Sequence, residues 1–160
     1  MNVRRAAPED AERLASIFNQ GIEERVATFE TRPTTPAAMR EAIERELVLV
    51  AEADGEVVGW AKAGPYADQH DYYEGVREAT LYVERSARRR GVGAALLEAL
   101  ARAAAAEGRH KLVGKIFASN EASVALVKGL GWREVGVHRR HGQLDGRWKD
   151  VVVVELLLAG

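Results

Sequence analysis

Residues Glu78 to Leu100 read E-A-T-L-Y-V, then E-R-S-A-R-R-R-G-V-G, then A-A-L-L-E-A-L. The first six alternate and carry Thr80, Tyr82 and Val83, the pattern of a strand. The last seven place Leu96, Leu97 and Leu100 on one helical face. Between them Arg88, Arg89 and Arg90 run into Gly91 and Gly93 where the helix must begin. Cations at a helix N-terminus meet a dipole that is already positive there. Unpaired N–H groups, Cβ-free glycines and guanidinium groups fit together if an anion sits among them, which points to a phosphorylated ligand. The alternative for the same residues is a basic, glycine-capped helix start on a solvated surface.

Two familiar phosphate motifs fail on spacing. A P-loop ends in Gly-Lys-Ser/Thr, whereas Gly93 precedes Ala94-Ala95. A dinucleotide fingerprint turns straight out of its strand and needs a third glycine. Here several residues separate Val83 from Gly91, and position 96 is leucine.

Working outward, Val3–Ala6 reads as a strand, and Pro8-Glu9-Asp10 opens a helix with Leu14, Ile17 and Phe18 on its buried stripe and Gly21 as its breaker. Residues 26–33 lack a clear period and read as a loop or a distorted start of the second helix. Thr35-Pro36 caps a second helix to about Glu46. Leu47–Ala53 is an apolar strand, and Asp54-Gly55 is a hairpin signal returning through Val57–Ala61. Tyr66–Gly75 is a polar loop with three tyrosines. After the helix ending near Glu107, capped by Gly108, come a strand at Lys111–Ile116 and a helix capped at Ser119-Asn120 with Leu126 and Leu130 inward. Strands at Trp132–Arg140 and Trp148–Leu158, joined through Gly142–Gly146, complete the chain. The order is β-α-α-β-β-β-α-β-α-β-β, an α/β chain with a mixed sheet and helices on its faces.

Composition narrows the function. The chain has 160 residues, 47% apolar and 29% charged, with a net charge of −1, which suits one globular domain. Because the arginine cluster is local, nucleic-acid binding is not expected. Cysteine is absent, which removes disulfides, thiolate ligands and a cysteine nucleophile. His70, His110, His138 and His141 show no metal-ligand spacing, so no metal is expected. No apolar run approaches a membrane span and the N-terminus has no signal-like core, so no membrane partner and a cytoplasmic location are the expectation.

R-x-x-G-x-G/A after a Y-V strand, together with this element order, resembles the GNAT superfamily of N-acetyltransferases over essentially the whole chain. Within it the sequence is most similar to the phosphinothricin and arsinothricin N-acetyltransferase group. The resemblance rests on Phe18-Asn19-Gln20, Ala27-Thr28-Phe29-Glu30, Glu78 ahead of Thr80–Val83, Ser119-Asn120-x-x-Ser123, Leu130-Gly131-Trp132, and the run from Gly142 to Val151. It implies a GNAT fold with a central twisted sheet of about seven strands flanked by about four helices. It further implies acetyl-CoA as co-substrate, a small amine as acceptor and a homodimer. By the same resemblance Leu81, Tyr82 and Val83 hold the pantetheine arm through their backbone. Arg88, Arg89, Arg90, Gly91, Val92, Gly93 and Ala94 wrap the pyrophosphate. Asn120 contacts the pantetheine region, although read alone it is simply a helix cap.

Glu78, taken alone, is an exposed strand glutamate; the resemblance makes it the catalytic base. Acetyl transfer from a thioester needs a neutral amine, and a free α-amine at pH 7 is mostly ammonium, so a carboxylate within reach supplies the acceptor for that proton. Alternation puts Glu78, Thr80 and Tyr82 on one strand face. The Val83 N–H is then the donor expected for the tetrahedral oxyanion. Phe29, Tyr66, Tyr73 and Arg77 are the substrate-side candidates, with Tyr72, His138 and Arg139 also able to contribute; Phe29 is equally well read as a core plug. Two departures stand out. Position 127, where the family often has a tyrosine to protonate the leaving thiolate, is valine. The loop Gly64-Pro65-Tyr66-Ala67-Asp68-Gln69-His70 lacks the arginine that the phosphinothricin enzymes carry there. The resulting expectation is detoxifying acetylation of a glutamate-like amino acid. Acetylation of another amine and acyl-CoA sensing without turnover are the alternatives.

Overall fold

The computed structural model describes residues 1–66 and 70–158. Its elements follow the expected order: β1 (Asn2–Arg5), α1 (Ala11–Glu24), α2 (Pro36–Arg45), β2 (Leu47–Ala53), β3 (Glu56–Pro65), β4 (Val76–Val83), α3 (Val92–Ala106), β5 (Lys111–Phe117), α4 (Glu121–Gly129), β6 (Arg133–Leu144) and β7 (Arg147–Leu157). The strands form one seven-stranded sheet in the order β1-β2-β3-β4-β5-β7-β6. All neighbours are antiparallel except β4 and β5, which are parallel because α3 carries the chain back across the sheet. No described helix is long and apolar enough to cross a membrane.

Local chemistry explains most of the boundaries. Thr35 accepts a hydrogen bond from the Ala38 N–H at 3.2 Å with Pro36 at the first helical position. Asp54 and Gly55 both take positive φ (52° and 79°), as a two-residue hairpin turn requires. Asp145-Gly146 does the same between β6 and β7 (52° and 76°). That second turn is tighter than the 142–146 connection expected: β6 continues through Gly142, with its register shifted between His138 and Gly142. On α4 the deeply buried residue is Val127, whereas Leu126 is half-buried and Leu130 caps the helix.

The two sheet faces bury separate cores. Leu49, Ala51, Ala61, Leu96, Leu97 and Leu100 belong to the cluster beneath α3. Leu14, Ile17, Val48, Val50 and Trp60 form the other beneath α1 and α2, with Phe18 and Tyr82 packed against it.

Gly21 is not the end of α1. The helix passes through it to Glu24 and stops at Arg25, which takes the left-handed conformation (φ 58°). Gly21 is there because the Tyr82 ring leans on the helix: a Cβ at this position would lie 2.9 Å from Tyr82 Cε1. The ring also meets Phe18 edge-on at 4.9 Å and Trp60 at 5.2 Å between centroids. Gly21→Ala gains up to about 1 kcal/mol of helix propensity. It loses about 1–3 kcal/mol by overpacking a ring fixed on both sides. Urea unfolding is therefore expected to show a variant about 1 kcal/mol less stable than the parent; a more stable variant would contradict this packing.

Candidate functional site

The site begins where β4 and β5 part. β3 accompanies β4 along its length, from Pro65–Arg77 to Gly59–Val83. β7 accompanies β5 throughout, from Lys111–Leu157 to Phe117–Val151. β4 and β5, however, pair only from Val76–Lys111 to Glu78–Val113. Beyond Glu78 the β5-facing backbone groups of β4 have no ladder partner, and such groups must find another donor or acceptor. Two cavities occupy the opening, one of about 880 Å³ and one of about 420 Å³. Ala27, Leu81, Tyr82, Asn120, Ser123 and Leu126 line both, so the two meet at the split.

The smaller cavity holds the arginine-glycine turn. Gly91 (φ 82°) stands at the N-cap of α3 and offers no side chain to its first N–H groups. Arg89 also takes positive φ (64°), so the chain turns tightly into the helix start, whose first N–H groups have no partner within the helix. Gly93 lets α3 approach closely, since a Cβ there would lie 3.0 Å from Leu126 and 3.3 Å from Leu81. The wall so formed carries Leu81, Tyr82, Val83, Arg88, Arg89, Gly91, Val92, Gly93, Ala94 and Asn120. It can receive a long anionic ligand, the phosphates at the helix start and an extended arm along β4.

The three arginines of the triplet have different surroundings. Arg88 donates to both carboxylate oxygens of Glu24, at 2.8 and 2.6 Å, and its Nε reaches the Val83 carbonyl at 3.3 Å. These hydrogen bonds hold the Glu24 carboxyl below its usual pKa and raise that of Arg88. Arg88 thus joins the turn to the end of α1, Arg89 faces the cavity, and Arg90 is exposed and not part of its lining.

Phe18-Asn19-Gln20 on α1 fix three neighbouring pieces at once. Phe18 packs on Tyr82. Asn19 exchanges hydrogen bonds with the Thr34 backbone, at 2.8 and 3.3 Å, and so holds the 26–35 loop. Gln20 donates to Glu84 at 3.1 Å and accepts from the Arg85 N–H at 3.0 Å, holding the turn after β4. Asn120 caps α4 by accepting from the Ser123 N–H at 3.3 Å, and it faces both cavities.

The larger cavity runs into the split, bordered by Phe18 and Met39 on one side and Leu97 and Val127 on the other, and contains Glu78 and Thr80. Glu78 Oε1 is 3.3 Å from the Lys115 ammonium, and both side chains are partly exposed to the cavity. Lys62 also faces it but is tied to Glu46 at 2.9 Å. Burial pushes the Tyr82 phenol up to about 12, with a hydrogen bond to Thr28 working the other way, so it stays protonated. Phe29 closes one wall: its ring meets Phe117 edge-on at 4.6 Å and lies 2.8 Å from where a Cβ on Gly142 would stand.

Tyr66, Tyr73 and Arg77 are not among the residues lining either cavity. Tyr66 and Tyr72 each pack edge-on against Tyr73, at 5.6 and 4.7 Å, and Arg77 follows the alternation of β4 to the face opposite Glu78. In the arginine-free loop, residues 67–69 lie outside the described residues. The arginine that does line the larger cavity is Arg32, in the segment that showed no period; it makes no hydrogen bond or ion pair among the described residues. Lys115 and Arg32 escaped sequence reasoning because a strand lysine and a loop arginine carry no motif. Val127 lines the cavity too, and its side chain has no proton to give.

The chain is similar to known proteins over nearly its whole length. The acetyltransferase (GNAT) family model matches residues 15–132. A phosphinothricin N-acetyltransferase of Streptomyces coelicolor is 34% identical, over 97% of this chain and 95% of the relative. A ribosomal-protein-alanine N-acetyltransferase structure from Brucella melitensis is similar with a TM-score of 0.94 at 31% identity, covering 99% of this chain and 100% of that one. A phosphinothricin acetyltransferase from Sinorhizobium meliloti, solved with acetyl-CoA, has a TM-score of 0.91 at 27% identity, over 99% of this chain and 88% of that one.

The Glu24–Arg88 pair gives a pH signature. With the folded pKa of Glu24 below its ordinary value of 4.5, the pair stabilises the fold above that value and is lost as pH falls through the lower one. Glu24→Gln is expected to be less stable than the parent at pH 7. In urea unfolding the gap should close as pH drops below 4.5; a gap constant across pH would contradict the pairing.

Proposed function

Because the chain belongs to the acetyltransferase (GNAT) family, we propose that it acetylates the α-amine of a small glutamate-like amino acid of the phosphinothricin, arsinothricin or methionine sulfoximine type. It is an N-acetyltransferase, and acetyl-CoA is its co-substrate. The observation that carries this reading is the join of two unlike cavities at the β4–β5 split, one bordered by the Gly91–Ala94 helix start and the other holding Glu78.

In this reading the N–H groups of Gly91–Ala94 bind the pyrophosphate and Arg89 adds charge beside them. The pantetheine arm lies along Leu81–Val83, completing the ladder that β5 leaves open, and Asn120 meets it from α4. The thioester then points through the split towards Glu78. Glu78 takes the proton of the substrate ammonium, the freed amine attacks the thioester carbon, and the Val83 N–H stabilises the oxyanion. Collapse forms the amide and breaks the C–S bond; the second proton of the attacking nitrogen passes through water in the open cavity to the departing thiolate, since Val127 cannot relay it, and the proton held by Glu78 is released to solvent. Phe29 bounds the acceptor pocket. Arg32 takes the acid group at the far end of the substrate, the role left vacant by the arginine-free loop. A homodimer and a cytoplasmic location belong to this proposal on the family resemblance alone.

A second reading, acetylation of a protein N-terminal alanine, is favoured by the likeness to the Brucella structure. CoA-thiol release with purified protein separates the two, using L-phosphinothricin, L-methionine sulfoximine, L-glutamate, spermidine and an alanine-starting peptide as acceptors. Saturable turnover with the glutamate analogues supports the first reading; turnover confined to the peptide replaces it with the second.

Two variants test the assigned roles. Glu78→Gln is expected to lower kcat at neutral pH by about 10²–10⁴-fold while leaving acetyl-CoA affinity unchanged, with partial recovery as the amine loses its proton in alkali. Unchanged turnover would remove Glu78 from the chemistry. Arg32→Ala is expected to raise KM for L-phosphinothricin about tenfold with kcat nearly kept. An equal effect on an acceptor without a distal acid group would contradict that assignment.

A further inference from the structure

We propose that Lys115 is the residue that makes the enzyme select a free amino acid, by binding the α-carboxylate of the acceptor while Glu78 receives its ammonium. This rests on the N-acetyltransferase reading of the larger cavity and deepens it. Glu78 is paired in the ladder with Val113, and Lys115 lies two residues further along β5, so alternation returns it to the same sheet face as Glu78. The side chains meet at 3.3 Å across the mouth of the split, and both line the cavity.

A free α-amino acid carries an ammonium and a carboxylate on a single carbon. It can therefore lie against this pair as its mirror in charge, ammonium to Glu78 and carboxylate to Lys115. Binding exchanges one internal ion pair for two intermolecular ones, and neither protein charge is left without a partner. Other amines fare worse for a stated reason. A peptide N-terminus has an amide in place of the carboxylate, so drawing Glu78 away leaves the lysine ammonium uncompensated in the cavity. A polyamine brings further positive charge towards it. Lys115 is the cation paired with Glu78, whereas Lys62 is held by Glu46 and Arg32 is assigned to the acid group at the far end of the substrate.

The test compares each free amino acid with its α-carboxamide (L-methionine sulfoximine, L-phosphinothricin and L-methionine) as acceptors for the parent, Lys115→Met and Lys115→Arg. The parent is expected to prefer the free acid by about 10- to 100-fold in kcat/KM, the worth of one charge-assisted hydrogen bond. Lys115→Met should abolish that preference through KM, leaving turnover of the carboxamide within about threefold. Lys115→Arg should restore much of it. A merely structural role would lower both acceptors together. Equal use of acid and amide by the parent, or a preference that survives Lys115→Met, would overturn the proposal. If plain methionine shows the Lys115-dependent preference and the glutamate analogues are not acetylated, this inference stands and the glutamate-like reading falls. If no amine turns over, calorimetric titration of the same pairs into the CoA-loaded protein decides: loss of free-acid binding in Lys115→Met supports the proposal, and equal binding of acid and amide refutes it.

Discussion

The incomplete pairing of β4 with β5 is the constraint on which the rest of the molecule depends. Each strand is held firmly on its other side, β4 by β3 and β5 by β7, and the two share a ladder only as far as Glu78 and Val113. Leaving backbone groups unpaired at the centre of a sheet costs stability, which the two flanking cores supply. What the molecule gains is an edge inside its own sheet. Edges are usually covered because they recruit other strands. This one is shielded by α4 and by the loop after α1, so that a slender extended ligand can reach it.

Everything that frames the split converges on Tyr82 and its neighbours. α1 makes room for the Tyr82 ring at Gly21, and Phe18 and Trp60 pack the same ring, so the face of β4 that carries Glu78 is fixed by the core under α1. Asn19 and Gln20 extend this control to the loop over the larger cavity and to the turn leading into α3. Arg88 then returns from that turn to Glu24 at the end of the same helix. One helix thus positions both cavities. A change on its inner face is therefore expected to alter both cavities together.

Much of this was legible in the sequence, wherever a local rule has a sharp residue requirement. Asp54-Gly55, Thr35-Pro36, Asn120 and the Gly91 helix start each specify a backbone conformation that few residues satisfy, and the element order followed from them. What could not be read depended on distant partners. Gly21 looked like a helix breaker because its real neighbour, the Tyr82 ring, is far away along the chain. The ion pair of Arg88 gave no sign in the sequence because Glu24 is equally remote. The tyrosines of the 66–75 segment could wall a pocket or simply pack in their loop; they pack on one another, while the plain residues Arg32 and Lys115 face the cavity. The parting of β4 from β5 has no signature in either strand, since it is a property of their pairing.

The central claim is that acetyl-CoA completes the open edge of β4 and the bare start of α3. Amide hydrogen exchange, followed residue by residue with and without acetyl-CoA, tests it most directly. Strong new protection is expected at the β5-facing amides of Leu81–Val83 and at Gly91–Ala94, with β2, β3 and β7 unchanged. Acetyl-CoA that binds while those amides exchange as before would contradict it.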